Sequence, residues 1–385
     1  MIMQIRLLKK YDFERILDAF TPLLATLAAL AVGAVMLVLL GANPFQAYSA
    51  MVEGAFASTN SLADTIVRAT PLLIVGLGIC ISFRGGVLNI GGEGQLVVGA
   101  ISATVVGLSL PEAPAIVVMI LAMLAGFMAG AVWGGIPGAL KAYFNVNEIL
   151  STIMMNAIAV QFMNYLLRNP LLDPDQFNAA SKIPQTARLV PAFDLPRLVP
   201  TRLHLGAGIA VLLAVVVYLF LWRTAIGYRI RAVGLNPDAS RYAGIDVKRY
   251  MVLALLLSGA FAGLGGAIQV LGVHHRMFTD GSAMGFTGSA GFNGIVAALF
   301  GKLHPIGTIP ASFLFGALLV GANKLQRVMQ VPSAFITALN GLVVVFVVSS
   351  EIWSRRRSRR RMIVSEAHPG TAEEKALKLP EEAQF

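Results

Sequence analysis

Residues 115–142 read Ala-Ile-Val-Val-Met-Ile-Leu-Ala-Met-Leu-Ala-Gly-Phe-Met-Ala-Gly-Ala-Val-Trp-Gly-Gly-Ile-Pro-Gly-Ala-Leu-Lys-Ala. No charge interrupts this run before Lys141. It exceeds the ~20 apolar residues that carry a helix across roughly 30 Å of hydrocarbon. Gly126, Gly130, Gly134 and Gly138 recur at every fourth position, leaving one smooth face for close helix contact. Gly259 and Gly263 repeat the spacing in a later run. These glycines read as packing surfaces, not as chemistry.

Comparable runs flank this one on both sides. They are Thr21–Gly41, Leu62–Phe83, Gly94–Leu110, Glu148–Leu167, Leu205–Trp222, Tyr250–Val273, Gly285–Phe300, Ile306–Leu325 and Pro332–Ser350, making ten. Composition agrees: 56% of the 385 residues are hydrophobic and 13% charged, about half the charge of a soluble domain. The chain reads as an all-α polytopic membrane protein and not as an ordinary soluble enzyme. The net charge of +10 is no sign of nucleic-acid binding, because the basic residues cluster between apolar runs. A single cysteine, Cys80, lies within such a run and excludes a disulfide framework or a Cys-based metal site.

Lys and Arg set the orientation. An amino-terminal arm, residues 1–20, carries Arg6, Lys9, Lys10 and Arg15. Ten crossings place it on the same side as Arg84, Lys141, the loop at about 223–249 and the tail, residues 351–385, with Arg355, Arg356, Arg357, Arg359, Arg360 and Arg361. That side is expected to be the cytoplasm, with both termini in it and the transmembrane domain spanning 21–350. The loop at about 169–204 on the other side is proline-rich and mixed in charge. Lys324 and Arg327, after the ninth run, fall on that same outer side against the trend. The arginine cluster of the tail suits membrane lipid, and the polar residues after it are expected to be disordered.

Two glycine-rich stretches share a texture. Gly85-Gly86-Val87-Leu88-Asn89-Ile90-Gly91-Gly92-Glu93-Gly94-Gln95 enters the third run, and residues 281–294, with five glycines and Asn293, enter the eighth. Each follows a long apolar helix and opens a short one, at opposite ends. Ten runs thus divide into two inverted five-helix halves, each with a broken or re-entrant segment, which is the sequence pointer to a midplane transport site.

Polar residues in these segments are the pathway candidates. Glu93 is either a ligand-contacting or gating acid, or a cap for the N–H groups that open the third helix. Asn89, Gln95 and Asn293 offer neutral donor–acceptor pairs suited to a polyhydroxylated or heterocyclic solute. In the fifth run, Asn156 and Asn164 share a face with Gln161 nearby, and interhelical bonding is the competing reading. Asn147 and Glu148 read as a cap and an acidic first-turn residue, and Arg68 is left unassigned.

The loop Gly227–Tyr250 contains a short helix, Pro237–Ala243. Asn236 is its N-cap, Pro237 its first residue, Asp238 complements its dipole and Gly244 ends it. Ser240 lies within it, and Arg241 and Tyr242 are its candidate partner contacts; binding to phospholipid head groups is the alternative. No G-x-x-x-x-G-K-[ST] string, H-E-x-x-H string or G-x-S-x-G string occurs, and no chain of intramembrane carboxylates suggests a proton relay. No catalytic or metal-binding set is expected, and the power source lies elsewhere.

This loop, with Val146-Asn147-Glu148-Ile149-Leu150-Ser151-Thr152, Leu88–Gln95 and Gly294-Ile295-Val296-Ala297-Ala298-Leu299-Phe300-Gly301, resembles permeases of the branched-chain amino acid, ribose and simple-sugar class of ATP-binding-cassette importers. The resemblance runs from about residue 60 to 350 and is nearest the nucleoside branch. It implies a bacterial inner-membrane subunit beside a similar or identical second permease, cytoplasmic ATP-binding subunits and an external solute-binding lipoprotein. It also implies that this chain binds no cofactor, since ATP is used by the partner ATPase. Residues 236–244 would be the coupling helix, and the solute a purine nucleoside or a simple sugar. A stand-alone secondary transporter fits the inverted halves equally well but gives that loop no task. An intramembrane enzyme would need a convergent set of reactive groups that the sequence does not supply.

Overall fold

The computed structural model describes residues 24–176 and 182–332, with scattered helical positions between 335 and 350. The amino-terminal arm and the basic tail lie outside the described residues. The chain divides into two compact units, residues 1–36 with 341–385, and Leu37–Asn340. Most of helix α1 (Leu24–Leu39) belongs to the first unit.

The second unit is helical. It comprises α2 (Pro44–Phe56), α3 (Thr59–Arg84), α4 (Gly92–Ser109), α5 (Ala115–Phe144), α6 (Glu148–Arg168), α7 (Gly206–Arg223), α8 (Ala225–Leu235), α9 (Pro237–Tyr242), α10 (Val247–Gln269), α11 (Met284–Thr287), α12 (Ala290–Phe300) and α13 (Pro305–Met329). A π turn, Val270–His274, prolongs α10. Seven of these are long and apolar enough to cross a membrane: α3, α4, α5, α6, α7, α10 with its π turn, and α13. No strand forms among the described residues.

Two elements depart from the sequence expectation. Helix α2 was not foreseen: its 13 residues are too few for a span, and Glu53 breaks their hydropathy. The eighth run is broken as expected, at Gly288 and Ser289, both at φ 60°, which separates α11 from α12, whereas the third run is not. The first glycine-rich stretch leaves residues 87–90 without helix, and α4 then runs unbroken for 18 residues.

Helices α3 and α10 lie side by side at the centre, and most of their residues are buried. Helix α10 also packs on α4 and α5, while α3 packs on α12 and α13. The α5–α10 seam is the glycine stripe. A methyl group at Gly130 would collide with the Gly259 carbonyl oxygen, and one at Gly263 with that of Gly126, so the two backbones touch. The outer faces of α5 and α6 leave Ile116, Ile120, Leu124, Leu150, Met154 and Phe162 exposed, an apolar surface that fits lipid or another membrane helix.

The segment 182–205 is stitched across the residues that follow α10. Thr186 N donates to the Met277 carbonyl, Leu189 N to that of His275 and Leu195 N to that of Leu271, each at 2.9 Å. At the other end of the bundle, α8 and α9 form the compact link from α7 to α10.

Candidate functional site

The two glycine-rich stretches, about 200 residues apart in sequence, meet in the interior. Helix α4 starts at Gly92 with no side-chain cap on its N-cap residue, Gly91. Glu93, in its first turn, does not turn back to that helix. Its Oε2 accepts from Gly291 N at 2.8 Å, and its Oε1 accepts from Thr287 Oγ1. The carboxylate is 5% exposed. The acid therefore caps the start of α12, and of its two sequence readings the one as a cap of the third helix is corrected. A carboxylate set on the N–H groups of a helix start is favourably placed, because that end carries the positive pole. Gly92 and Gly291 permit the approach, since a side-chain carbon on Gly291 would strike the Glu93 backbone.

The neutral amides form a second layer. Asn89 donates through Nδ2 to Gln95 Oε1 at 2.9 Å and to Ser258 Oγ of α10 at 2.8 Å. Its Oδ1 accepts from Gly91 N at 2.9 Å and from Gln95 Nε2 at 3.1 Å. Asn156 of α6 accepts from Gly94 N at 2.8 Å and donates to the Ile90 carbonyl at 2.9 Å. Ile90 N donates to Thr152 Oγ1 at 3.3 Å. Buried, non-helical backbone needs such partners, and α6 supplies them. Asn89, Gln95 and Asn156 thus hold the segment between α3 and α4 in place. Asn293 sits half-buried in the first turn of α12, and its N–H donates to the Ser289 carbonyl at 2.9 Å.

Asn164 anchors the approach to α11. It accepts from Thr279 Oγ1 at 2.7 Å and donates to the Gly281 carbonyl at 3.2 Å. Beside it Asp280 accepts from Ser282 N and Oγ, bonds that hold its carboxyl below the usual carboxylate range. Gln161 is exposed and does not join the group. Thr287 and Ser258 went unrecognised in the sequence, because a lone hydroxyl in an apolar run carries no spacing signal.

At the α8–α9 end the local reading of the loop is realised. Ala239 N donates to Asn236 Oδ1 at 3.0 Å, Pro237 opens α9, and Gly244 takes φ 79° just past its end. Ser240 is buried beneath α9, Arg241 lies 3.9 Å from Asp238, and Tyr242 is 96% exposed. Helix α8 is tied to the core through Trp222 at the end of α7. The guanidiniums of Arg84 and Arg231 lie 4.7 and 5.3 Å from its ring centre, within cation–π range. Arg84 Nε also donates to the Leu303 carbonyl at 2.6 Å, in the turn between α12 and α13. His304 in the same turn lies tilted against Trp222 with ring centres 5.1 Å apart, and burial followed by the Arg84 charge lowers its pKa. A continuous set of contacts thereby runs from α9 to the far end of α12.

Among the described residues no three His, Cys, Asp or Glu side chains are grouped to hold a metal ion. Residues 61–348 match the family described as branched-chain amino acid transport system / permease component. The chain is 38% identical over 337 residues to the guanosine ABC transporter permease protein NupP of Bacillus subtilis, covering 88% of this chain and 95% of that protein. It is 35% identical over 344 residues to the glucose ABC transporter permease protein TsgB13 of Haloferax volcanii, covering 88% and 89%. It is 30% identical over 331 residues to the nucleoside ABC transporter permease protein NupB of Lactococcus lactis, covering 85% and 89%.

Proposed function

Because the chain belongs to the branched-chain amino acid transport system / permease component family, we propose that it is the membrane-spanning subunit of an ATP-driven importer whose solute is a nucleoside. The near-complete match to the guanosine permease carries this reading. ATP is hydrolysed on separate subunits, consistent with the absence of a P-loop string here. A solute-binding protein outside delivers the nucleoside, and a second permease subunit, similar or identical, packs on the exposed apolar faces of α5 or α6.

The excess of Lys and Arg supports a bacterial inner-membrane protein with the α8–α9 end and both termini in the cytoplasm. Ten spans form two inverted five-helix halves. The reciprocal packing supports this: α3 with α12 and α13 mirrors α10 with α4 and α5. Helix α9 docks on the ATPase through Arg241 and Tyr242. ATP-driven movement of α9 passes through α8 and the Trp222 contacts to α12, and so to the joint at Glu93. Parting that joint would open the pathway alternately to each side. Asn293 and the α12 start contact the solute in passage, while Asn89, Gln95 and Asn156 keep the α4 entrance in register.

Reconstitution tests this. The chain, its ATPase, any second permease and the binding protein are placed in proteoliposomes, and ATP-dependent entry of labelled guanosine is measured. Arg241→Glu with Tyr242→Ala should abolish ATPase co-purification and uptake while leaving detergent yield unchanged. Uptake without any associated ATPase would overturn the proposal in favour of a secondary transporter. The likeness to a glucose permease favours one second reading, sugar import by the same machinery. Glucose entry that exceeds guanosine entry would select it.

A further inference from the structure

Arg68 stands within α3, a span, at a depth where a charged group must face protein or a water-filled cavity. It faces a cavity of about 540 Å³ beneath the 182–205 segment, bounded by α3, the end of α10 and α13. The Arg68 Nη1 lies against Gly288, at the break between α11 and α12, where a side-chain carbon would come within 2.9 Å of it. Its charged neighbours are Asp64, one turn back on the same face, and Arg202.

Three further guanidiniums line the same space: Arg197 and Arg202 from the roof and Arg327 from α13. None of the four has a carboxylate within ion-pairing distance among the described residues, whereas Arg188 at the rim is neutralised by Asp194 at 3.1 Å. Asp64 is the one carboxylate among the lining residues. The backbone that carries the roof arginines is held, since Arg197 and His204 are bridged and Leu198 N donates to the Leu203 carbonyl at 2.8 Å, and both side chains are exposed.

Two buried polar atoms on this cavity also lack partners, His204 Nε2 and Gln269 Oε1. Gly206 N donates to His204 Nδ1 at 3.2 Å, so the neutral ring carries its proton on Nε2 as an unused donor. Gln269 donates to the Phe286 carbonyl at 2.7 Å, leaving its oxygen as an unused acceptor. Buried groups of this kind cost stability unless a ligand or water completes them.

We propose that this cavity binds a small oxyanion, a phosphate-bearing solute or the phosphate of a lipid headgroup, with Arg68 as its innermost cationic contact. The guanidinium forks match phosphate oxygens, and the His204 Nε2–H is a further donor to them. Gln269 Oε1 suits a hydroxyl on the same molecule. The volume falls in the ordinary range for small-molecule pockets, about 300–1,000 Å³, with room beyond a bare phosphate. A neutral nucleoside carries no charge for these exposed guanidiniums to pair with, so the site is distinguished from that of the transported solute by charge.

The test uses the full-length chain, purified and delipidated in detergent. Binding of inorganic phosphate, adenosine 5′-monophosphate and adenosine is measured by calorimetry at low and high salt, with native mass spectrometry for retained phosphatidylglycerol. Phosphate or the monophosphate should bind, weakening at least tenfold in Arg68→Gln and in Arg202→Gln, while adenosine does not. Retained phosphatidylglycerol that is lost in both variants assigns the oxyanion to lipid; binding of the soluble phosphates assigns it to a solute. Should Arg68→Gln fail to fold, Arg202→Gln, which lies outside the spans, carries the comparison. Adenosine binding as tightly as its monophosphate, no oxyanion binding at all, or binding unchanged in both variants would overturn the proposal.

Discussion

Glu93 shows why a buried carboxylate cannot be assigned from its own neighbourhood. Its sequence position, one residue into a helix, suggested a local cap, yet both oxygens go to residues 194 and 198 positions away. Hydrogen bonds to a charged group contribute about 1.5–3 kcal/mol each. Glu93→Gln keeps one acceptor oxygen and the shape, so insertion and yield should stay within about twofold while ATP-dependent uptake falls at least tenfold. Loss of the folded protein instead would make Glu93 a structural cap. His204 permits a second prediction at this scale. Burial, then the nearby charge of His275, depresses its pKa to about 4 from an ordinary value near 6.5. The unfolded chain therefore takes up this proton first. Stability is complete above pH ~6.5 and declines as pH falls from there toward ~4, by about 3 kcal/mol at most. His275 is also lowered, chiefly by burial, with Asp194 at 2.6 Å opposing the shift, so it acts in the same direction. Thermal unfolding in detergent at pH 7 and pH 5 should show a lower midpoint at pH 5, and His204→Gln should flatten that difference.

Among the elements, the long apolar helices were readable because hydrophobic length alone defines a span. The starts of α6, α9 and their caps were also readable, since Asn147 and Asn236 act on the N–H groups two or three residues later. Helix α2 was not, because a 13-residue element has no length signal of its own. The glycine stripe on α5 announced a close contact, but nothing local could name α10 as the partner. Its strength can be measured. Gly259→Ala forces apart two backbones already in contact and should cost about 1–3 kcal/mol, as overpacking does. Gly208→Ala, which meets open space, should change the unfolding midpoint little. Equal effects at the two positions would show that the stripe is not a tight seam.

Within Leu37–Asn340, the Trp222 contacts lie at the Arg84 end of α3 and the cavity lined by Arg68 lies in its amino-terminal half. The sequence made visible which residues were polar within apolar runs; it left hidden that most of the amides serve backbone, because their partners come from other helices. Arg68 was left open for the same reason, as its surroundings are assembled from α3, α13 and the 182–205 segment. If α9 drives the joint, breaking the contacts between them should separate ATP consumption from transport: Trp222→Ala should retain ATPase binding and hydrolysis while uptake drops at least fivefold. Uptake falling in step with ATPase binding would place the defect in docking instead. The same indole also makes the protein its own optical gauge. The chain has three tryptophans, and Trp133 is held apart from the Trp222 cluster by donating to the Met155 carbonyl of α6. With Trp133 and Trp353 changed to Phe, the remaining emission comes from a ring held between two guanidiniums and an imidazole. Any displacement of α8 during the ATP cycle then appears as a change in fluorescence, recorded in real time without an attached dye.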